Sequence, residues 1–234
     1  MKLGLIGAME EETNLLKGRL EDKRETEAGG CHFFSGKLEG VDVVLLQSGI
    51  GKVNAAIGTT LLIDRYHPDA VINTGSAGGM DSSLEIGDVV LSTKVFHHDV
   101  DATAFHYAPG QVPGMPAFYE PETRLVTLAA EIAEKMAGDH HVRLGAIGSG
   151  DSFMADPKRI EALKQLFPEM LTVEMEAAAI AQTCYRFGVP FLIVRALSDV
   201  AGKQSEVSFE QFLEQAAVHS AEFVLALIKR IKES

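Results

Sequence analysis

Four carboxyl groups carry the chemical interest of this 234-residue chain: Glu12, Glu174, Glu176 and Asp199. Each follows closely on a short apolar run, and a carboxylate in such company is expensive to bury unless something pairs with it. The stretch "VEMEAAAIA" over 173–181 poses the case most sharply, because two acids stand at the front of a segment that reads as packed inside. Two carboxyl groups held on opposite sides of a bond can act as acid and base, the logic by which glycosides are cleaved. Glycines occupy comparable places: Ser48-Gly49-Ile50-Gly51, Gly75-Ser76-Ala77-Gly78-Gly79 and Gly150-Asp151-Ser152-Phe153-Met154 each follow an apolar run. Glycine lets a ligand approach the backbone.

Each feature has a plainer reading beside the chemical one. Glu10, Glu11 and Glu12 open a helical pattern, where acids are favoured by the macrodipole. That explanation suffices for Glu10 and Glu11, while Glu12 fits either role. "GSAGG" matches neither G-x-G-x-x-G nor G-x-x-x-x-G-K-[ST], so a tight strand–helix turn is favoured over a phosphate cradle. Ser76 and Ser198 lack the G-x-S-x-G elbow, which argues against a covalent serine mechanism. His97, His98, Asp99, Asp101 and His106 lack the H-E-x-x-H spacing, and a polar surface loop is the better reading. Met9, Met175 and Phe153 are ordinary core filler by type. Phe209 and Phe212, three apart in the final helical pattern, read as core more readily than as ligand contacts, though Phe209 sits at its start.

The elements that must position these residues alternate along the chain. Strand-like runs are "KLGLIGA", "VDVVLLQS", "AVINTG", "DVVLSTKVF", "VRLGAIGS", "LTVE" and "PFLIVRAL". Helical periodicity marks "EEETNLLKGRL", "KVNAAIGTTLLIDRY", "PETRLVTLAAEIAEKMA", "DPKRIEALKQLF", "EAAAIAQTCYRF" and "SFEQFLEQAAVHSAEFVLALIKRIK". This alternation predicts an α/β fold of three layers, α/β/α, around a central, mixed but largely parallel, twisted sheet. Several strands are nearly continuous in Val, Ile and Leu, as strands covered on both faces are. No linker or internal repeat divides the sequence, so a single domain over 1–234 is expected. Ligands of such sheets bind beyond the carboxyl ends of the strands, where the acids and glycines above fall. The least regular segment, 97–121, carries four prolines and several aromatics and reads as a long excursion.

Composition narrows the function classes. With 21 basic and 33 acidic residues the formal charge is −12, unfavourable for nucleic acid and anionic membranes, so neither is an expected partner. Cys31 and Cys184 offer neither a disulfide framework nor metal-ligand spacing. The N-terminal apolar run is too short for a signal peptide, and no run approaches the ~20 residues of a membrane helix. A cytoplasmic protein without metal or cofactor is expected.

Taken in order, "GAMEEE", "SGIGKVNAA", "NTGSAGG", "SGDSFM", "VEMEAAAIA" and "RALSDVA" resemble the 5′-methylthioadenosine/S-adenosylhomocysteine nucleosidase family, from Met1 to the last helix. The excursion "HHDVDATAFHYAPGQVPGMP" resembles that family's loop as well. The resemblance implies a nucleoside phosphorylase-like fold, a homodimer, and irreversible hydrolysis of the adenine–ribose bond in thioether nucleosides. By position it implies that Glu12 deprotonates water and that Asp199, supported by Ser198, protonates N7 of the leaving adenine. Glu176 would hold the ribose hydroxyls with Met175 against the sugar, and Arg195 and Ser76 would lie around sugar and water. Phe153 would stack on the base while the backbone at Met154 reads its edge; the family pattern has a β-branched residue there. Met9, Ile50 and Phe209 would line the pocket for the 5′ group, Gly78 and Val173 would complete the wall, and Phe105 and Pro113 would reach the partner subunit's site.

The chemistry asks for these residue types. Cleaving the N-glycosidic bond builds positive charge on the sugar and negative charge on the base, so carboxylates belong near the first and a proton donor near the second. An ordinary Asp, with a pKa of ~3.9, needs a shift of over ~3 units to hold its proton at neutral pH. Either an apolar pocket supplies that shift, or the proton moves only as N7 becomes basic. Rival readings are a phosphate-dependent purine nucleoside phosphorylase, an aminofutalosine nucleosidase, a nucleoside-binding protein without catalysis, and a metal hydrolase built on the 97–106 histidines. A phosphorylase calls for cations at the rim, whereas the first strand leads to Met9-Glu10-Glu11-Glu12. Glu174 suits an ion pair with Arg195, an ordinary buried salt bridge being its plain counterpart.

Overall fold

The computed structural model describes residues 1–135, 141–201 and 205–234. Its first half contains β1 (Lys2–Gly7), α1 (Glu10–Arg19), β2 (Glu21–Ala28), β3 (Cys31–Leu38), β4 (Val41–Gln47), α2 (Lys52–Tyr66), β5 (Ala70–Asn73) and β6 (Ser76–Gly79). The second contains β7 (Val89–His97), α3 (Thr123–Lys135), β8 (Val142–Ser149), α4 (Pro157–Leu166), β9 (Met170–Glu174), α5 (Ala177–Phe187), β10 (Phe191–Val200) and α6 (Ser205–Glu233). All six helical patterns form helices. The third was expected to run on through 136–137, which lie outside the described residues.

The ten strands form one sheet in the order β2-β3-β4-β1-β5-β10-β6-β9-β8-β7, and β10 also pairs with β7. That extra pairing closes the β10-β6-β9-β8-β7 half on itself. Six pairings are parallel (β1 with β4 and β5, β10 with β5 and β6, β8 with β7 and β9). Four are antiparallel, so the expected mixed, largely parallel sheet is the one observed. Strand β10 is the hinge of this order, since it alone touches both halves.

Helices cover both faces. Leu16 of α1, Leu128 and Ile132 of α3 and Phe223, Leu227 and Ile228 of α6 pack against Leu3, Leu5, Val43 and Val194. On the other face Ala55 and Leu62 of α2 and the alanine-rich side of α5 meet Ile6, Leu46, Val71 and Ile193. Alternate residues of β1 and β10 therefore enter opposite cores, which explains why both strands read as unbroken apolar runs.

Three strands differ from the expectation. "GSAGG" is not a strand–helix turn: Ser76–Gly79 forms β6, slotted between β10 and β9. The hairpin β2–β3 makes the sheet's far edge, and β2, "EDKRETEA", is exposed along nearly its whole length. The segment 97–121 is irregular apart from a 3₁₀ turn at Thr103–Phe105 and a bridge between Val95 and Tyr119.

Candidate active site

Glu12 is the third residue of α1 and is almost wholly buried. One carboxylate oxygen accepts from the backbone N–H of Ala8 (2.8 Å) and of Met9 (3.3 Å), the reciprocal half of a helix-capping arrangement. The other accepts from the N–H (2.9 Å) and hydroxyl (3.1 Å) of Ser76 at the start of β6. Glu12 thus caps its own helix and bolts it to a strand on the far side of β10. Glu10 and Glu11 stay exposed, and Glu10 only reaches Lys17 at 3.3 Å.

Glu174 closes β9. Its Oε2 accepts from the N–H groups of Glu176 (2.9 Å) and Ala177 (2.8 Å), which open α5. Its Oε1 accepts from the hydroxyl of Ser149, which in turn accepts from Ala178 N–H at 2.7 Å. Arg195, fully buried on β10, donates closely to Glu174 Oε2 and at 2.9 Å to Asn73 Oδ1. Glu176 lies 3.5 Å from the same guanidinium nitrogen and accepts Gly51 N–H at 2.9 Å. One cation therefore serves two carboxylates, and Glu174 holds the larger share. Burial first, and then the charge on Glu174, raise the Glu176 carboxyl to about 8, with Arg195 offsetting part of the rise. Desolvation works against the charge on Arg195, but the carboxylates of Glu174, Glu176 and Glu12 outweigh it and hold its pKa above the usual value.

Asp199 comes from the other end of the sequence. Between Leu197 and Asp199 the register of β10 against β6 slips, and such a bulge re-aims the side chains beside it. Ser198 donates its hydroxyl to Asp199 Oδ1 at 2.9 Å, and both residues are buried. Two glycines make the close approaches possible. A Cβ on Gly78 would stand 3.0 Å from Asp199 Oδ2, and one on Gly75 would collide with both Arg195 Nη1 and Glu12 Oε1.

These groups share one cavity of about 190 Å³. Glu12, Glu176, Asp199, Ser76 and Ser198 supply its polar wall. Met9, Ile50, Met175, Val173, Met154 and Gly78 make apolar surface, and Phe153 and Phe209 stand edge to face at 5.6 Å between centroids. Thirteen of the sixteen residues singled out in the sequence thus line it. Arg195 does not; it sits behind the wall, holding Glu174 and Glu176. Phe105, 76% exposed, and exposed Pro113 lie away from this cavity on the long excursion. Ala8, Ala77, Ser152 and Glu174 line it too and were not predicted to. Glu174 had been marked as an acid following an apolar run and Ala77 and Ser152 by their place in the glycine-bearing segments, while Ala8 had only its adjacency to Met9.

Among the described residues no three His, Cys, Asp or Glu side chains converge as metal ligands; His97 bonds Gln182 at 2.8 Å and His98 packs its ring on Gly150. Buried carboxyl groups from β10 and α1, facing one mostly apolar cavity, are the parts of acid–base bond cleavage.

Fold and site together define the phosphorylase superfamily, whose family model matches residues 2–229. The chain is 59% identical to a 5′-methylthioadenosine/S-adenosylhomocysteine nucleosidase of Geobacillus thermodenitrificans, over 97% of this chain and 96% of that one. Among solved structures it resembles the nucleosidase of the same name from Colwellia psychrerythraea in complex with adenine, with a TM-score of 0.96, 48% identity and coverage of 98% and 95%. The Neisseria meningitidis nucleosidase in complex with methylthio-immucillin-A matches with a TM-score of 0.95 and 45% identity, over 97% of this chain and 98% of that one. The chain belongs to the 5′-methylthioadenosine/S-adenosylhomocysteine nucleosidase family.

Proposed function

We propose that this protein hydrolyses the N-glycosidic bond of 5′-methylthioadenosine and S-adenosylhomocysteine, releasing adenine and the thioribose. The observation that carries the reading is the convergence of Glu12 and Asp199, 187 positions apart in sequence (199 − 12), on one cavity with Glu176 between apolar walls. In the proposed reaction Glu12 takes a proton from water and the hydroxide joins C1′. The C1′–N9 bonding pair leaves with adenine as Asp199 delivers a proton to N7, and the proton taken up by Glu12 goes to solvent, from which Asp199 regains one. One water is consumed and no other reactant is needed. Met9 N–H at 3.3 Å and the rotatable Ser76 hydroxyl are the weaker of Glu12's four partners, the ones a water can replace.

The remaining roles are those the family resemblance implies, and the placement of most of these residues around one cavity supports them. Glu176 holds the ribose diol, accepting from both hydroxyls when ionised and donating to one when protonated. Phe153 stacks on adenine, Met154 offers its backbone to the base edge, and Met175 packs on the sugar. Met9, Ile50 and Phe209 receive the 5′ group, and their apolar character favours a thioether over a phosphate. Gly78 and Val173 shape the wall, Ser198 orients Asp199, and Arg195 supports Glu176 from behind. We place the enzyme in the cytoplasm as a single-domain homodimer in which Phe105 and Pro113 of the 97–121 excursion complete the neighbour's site. Its partners are small nucleosides, not nucleic acid or a membrane.

A phosphorylase would need a cation for its anion, and among the described residues lining the cavity there is no Lys or Arg. Adenine release from methylthioadenosine is therefore expected at full rate in phosphate-free buffer. The Asp199→Asn variant should keep ligand affinity and lose about 10²–10⁴-fold in kcat. A strict phosphate requirement, or undiminished turnover in the variant, overturns the assignment. Running the same assay on methylthio, homocysteinyl, deoxy and futalosine-type nucleosides ranks the 5′ groups.

A further inference from the structure

Three residues at the cavity's rim form a closed ring that the reaction itself does not use. Lys52 opens α2, Asp99 follows β7 and Asp151 follows β8. Lys52 Nζ donates to Asp99 Oδ1 at 2.6 Å, Asp151 N–H donates to Asp99 Oδ2 at 3.0 Å, and Lys52 N–H donates to Asp151 Oδ1 at 2.8 Å. Each member thus touches the other two. The Lys52 and Asp99 side chains are 18% and 19% exposed, although Asp99 and Asp151 as whole residues lie at the surface. Closure into a ring, with two backbone N–H donors among its three bonds, fixes geometry that an isolated surface ion pair would not.

The position of the ring gives it consequence. Ile50 and Gly51 immediately precede Lys52; Ile50 lines the cavity and Gly51 N–H binds Glu176 Oε1 at 2.9 Å. Ser152, Phe153 and Met154 immediately follow Asp151, and all three line the cavity. Phe153 is 43% exposed, so packing alone holds it weakly. Asp99 stands at the root of the excursion that carries Phe105. We infer that the Lys52–Asp99–Asp151 ring is a positioning device for substrate binding, which locks the Ile50–Gly51 and Ser152–Met154 walls against each other. The inference rests on the nucleosidase reading of the cavity. It assigns the ring a role in forming the pocket and none in proton transfer, because none of its members lines the cavity.

Two variants separate this from general stabilisation. Lys52→Met removes the Nζ contact and keeps the backbone N–H to Asp151; Asp99→Ala removes two sides of the ring. Both should raise KM for methylthioadenosine about tenfold with kcat changed less than about twofold, and Lys52→Arg should recover most of the affinity. In the Asp99→Ala background, Lys52→Met should add nothing further to KM. Asp99→Asn, close in shape, serves where Asp99→Ala folds poorly, and should fall between wild type and Asp99→Ala. Unchanged KM in folded Lys52→Met, or equal effects of Lys52→Met with and without Asp99, would falsify the inference. Absence of adenine release by the wild-type enzyme would instead count against the nucleosidase reading.

Discussion

Glu176 shows how one residue's neighbours set its chemistry. Glu174 has three donors besides Arg195, from Glu176, Ala177 and Ser149, while Glu176 has Gly51 and a distant share of the guanidinium. The consequence is a carboxyl raised from 4.5 to about 8. In that window the unfolded chain has released the proton and the folded chain keeps it, so ionisation favours unfolding. The group's contribution is therefore complete below pH 4.5 and is lost as pH rises through about 8. In ligand-free enzyme, melting temperature should fall over this range, and Glu176→Gln should make that fall shallower. A parallel pair of melting curves from wild type and variant would remove Glu176 as the cause. The acids were legible in the sequence because a carboxylate after an apolar run demands a partner. The pairing of Glu174 with Arg195 was legible too and is observed; what was not legible is the set of α5 N–H groups that fixes Glu174 and leaves Glu176 the smaller share of the guanidinium.

Among the elements, β6 was the hardest to read and does the most positioning. Two glycines and no β-branched residue give "SAGG" no strand signal, yet its smallness is what admits Asp199 beside Gly78. The edge strand β2 escaped for the opposite reason: seven of its eight residues are exposed, so no alternation of apolar and polar types marks it. Charged edges of that kind discourage pairing between molecules. Five helices were legible from the spacing of their apolar stripes, whereas α1 buries only Leu16 beside the polar Glu12 and Thr13 and was marked by the acids at its start. Helix α6 adds something the stripe conceals: Ser220, fully buried, binds Thr74 Oγ1 at 2.6 Å and accepts Gly75 N–H at 3.1 Å. It pins the turn that threads between Glu12 and Arg195. Ser220→Ala leaves that N–H unpaired and should cost about 1–3 kcal/mol in urea unfolding, with a matching loss of kcat as Glu12's partner Ser76 loosens. A variant equal to wild type in both would deny α6 this role.

For the whole molecule, alternation of elements was enough to predict a layered mixed sheet, because burial on two faces dictates composition strand by strand. Closure of one half through β7 and β10 was not readable, since nothing in either strand names so distant a partner. The excursion is the other feature that reaches beyond its own surroundings: Phe105 presents its ring to solvent, as does nearby Pro113. In the homodimer proposed above, Phe105→Asp should weaken association and raise KM in the same protein, read by light scattering and by nucleoside titration. A dimer of undiminished strength with unchanged KM would place the interface elsewhere.

Strand β10 also imposes an order on the protein's birth. It alone connects the β2-β3-β4-β1-β5 half to the β6-β9-β8-β7 half, and it brings both Arg195 and Asp199. A ribosome delivers it second to last among the elements, after every other strand has emerged. Without β10 the remaining strands have no common seam and Glu174 and Glu176 have no cation, so the cavity cannot be complete before β10 is in place, and it still awaits Phe209 from α6.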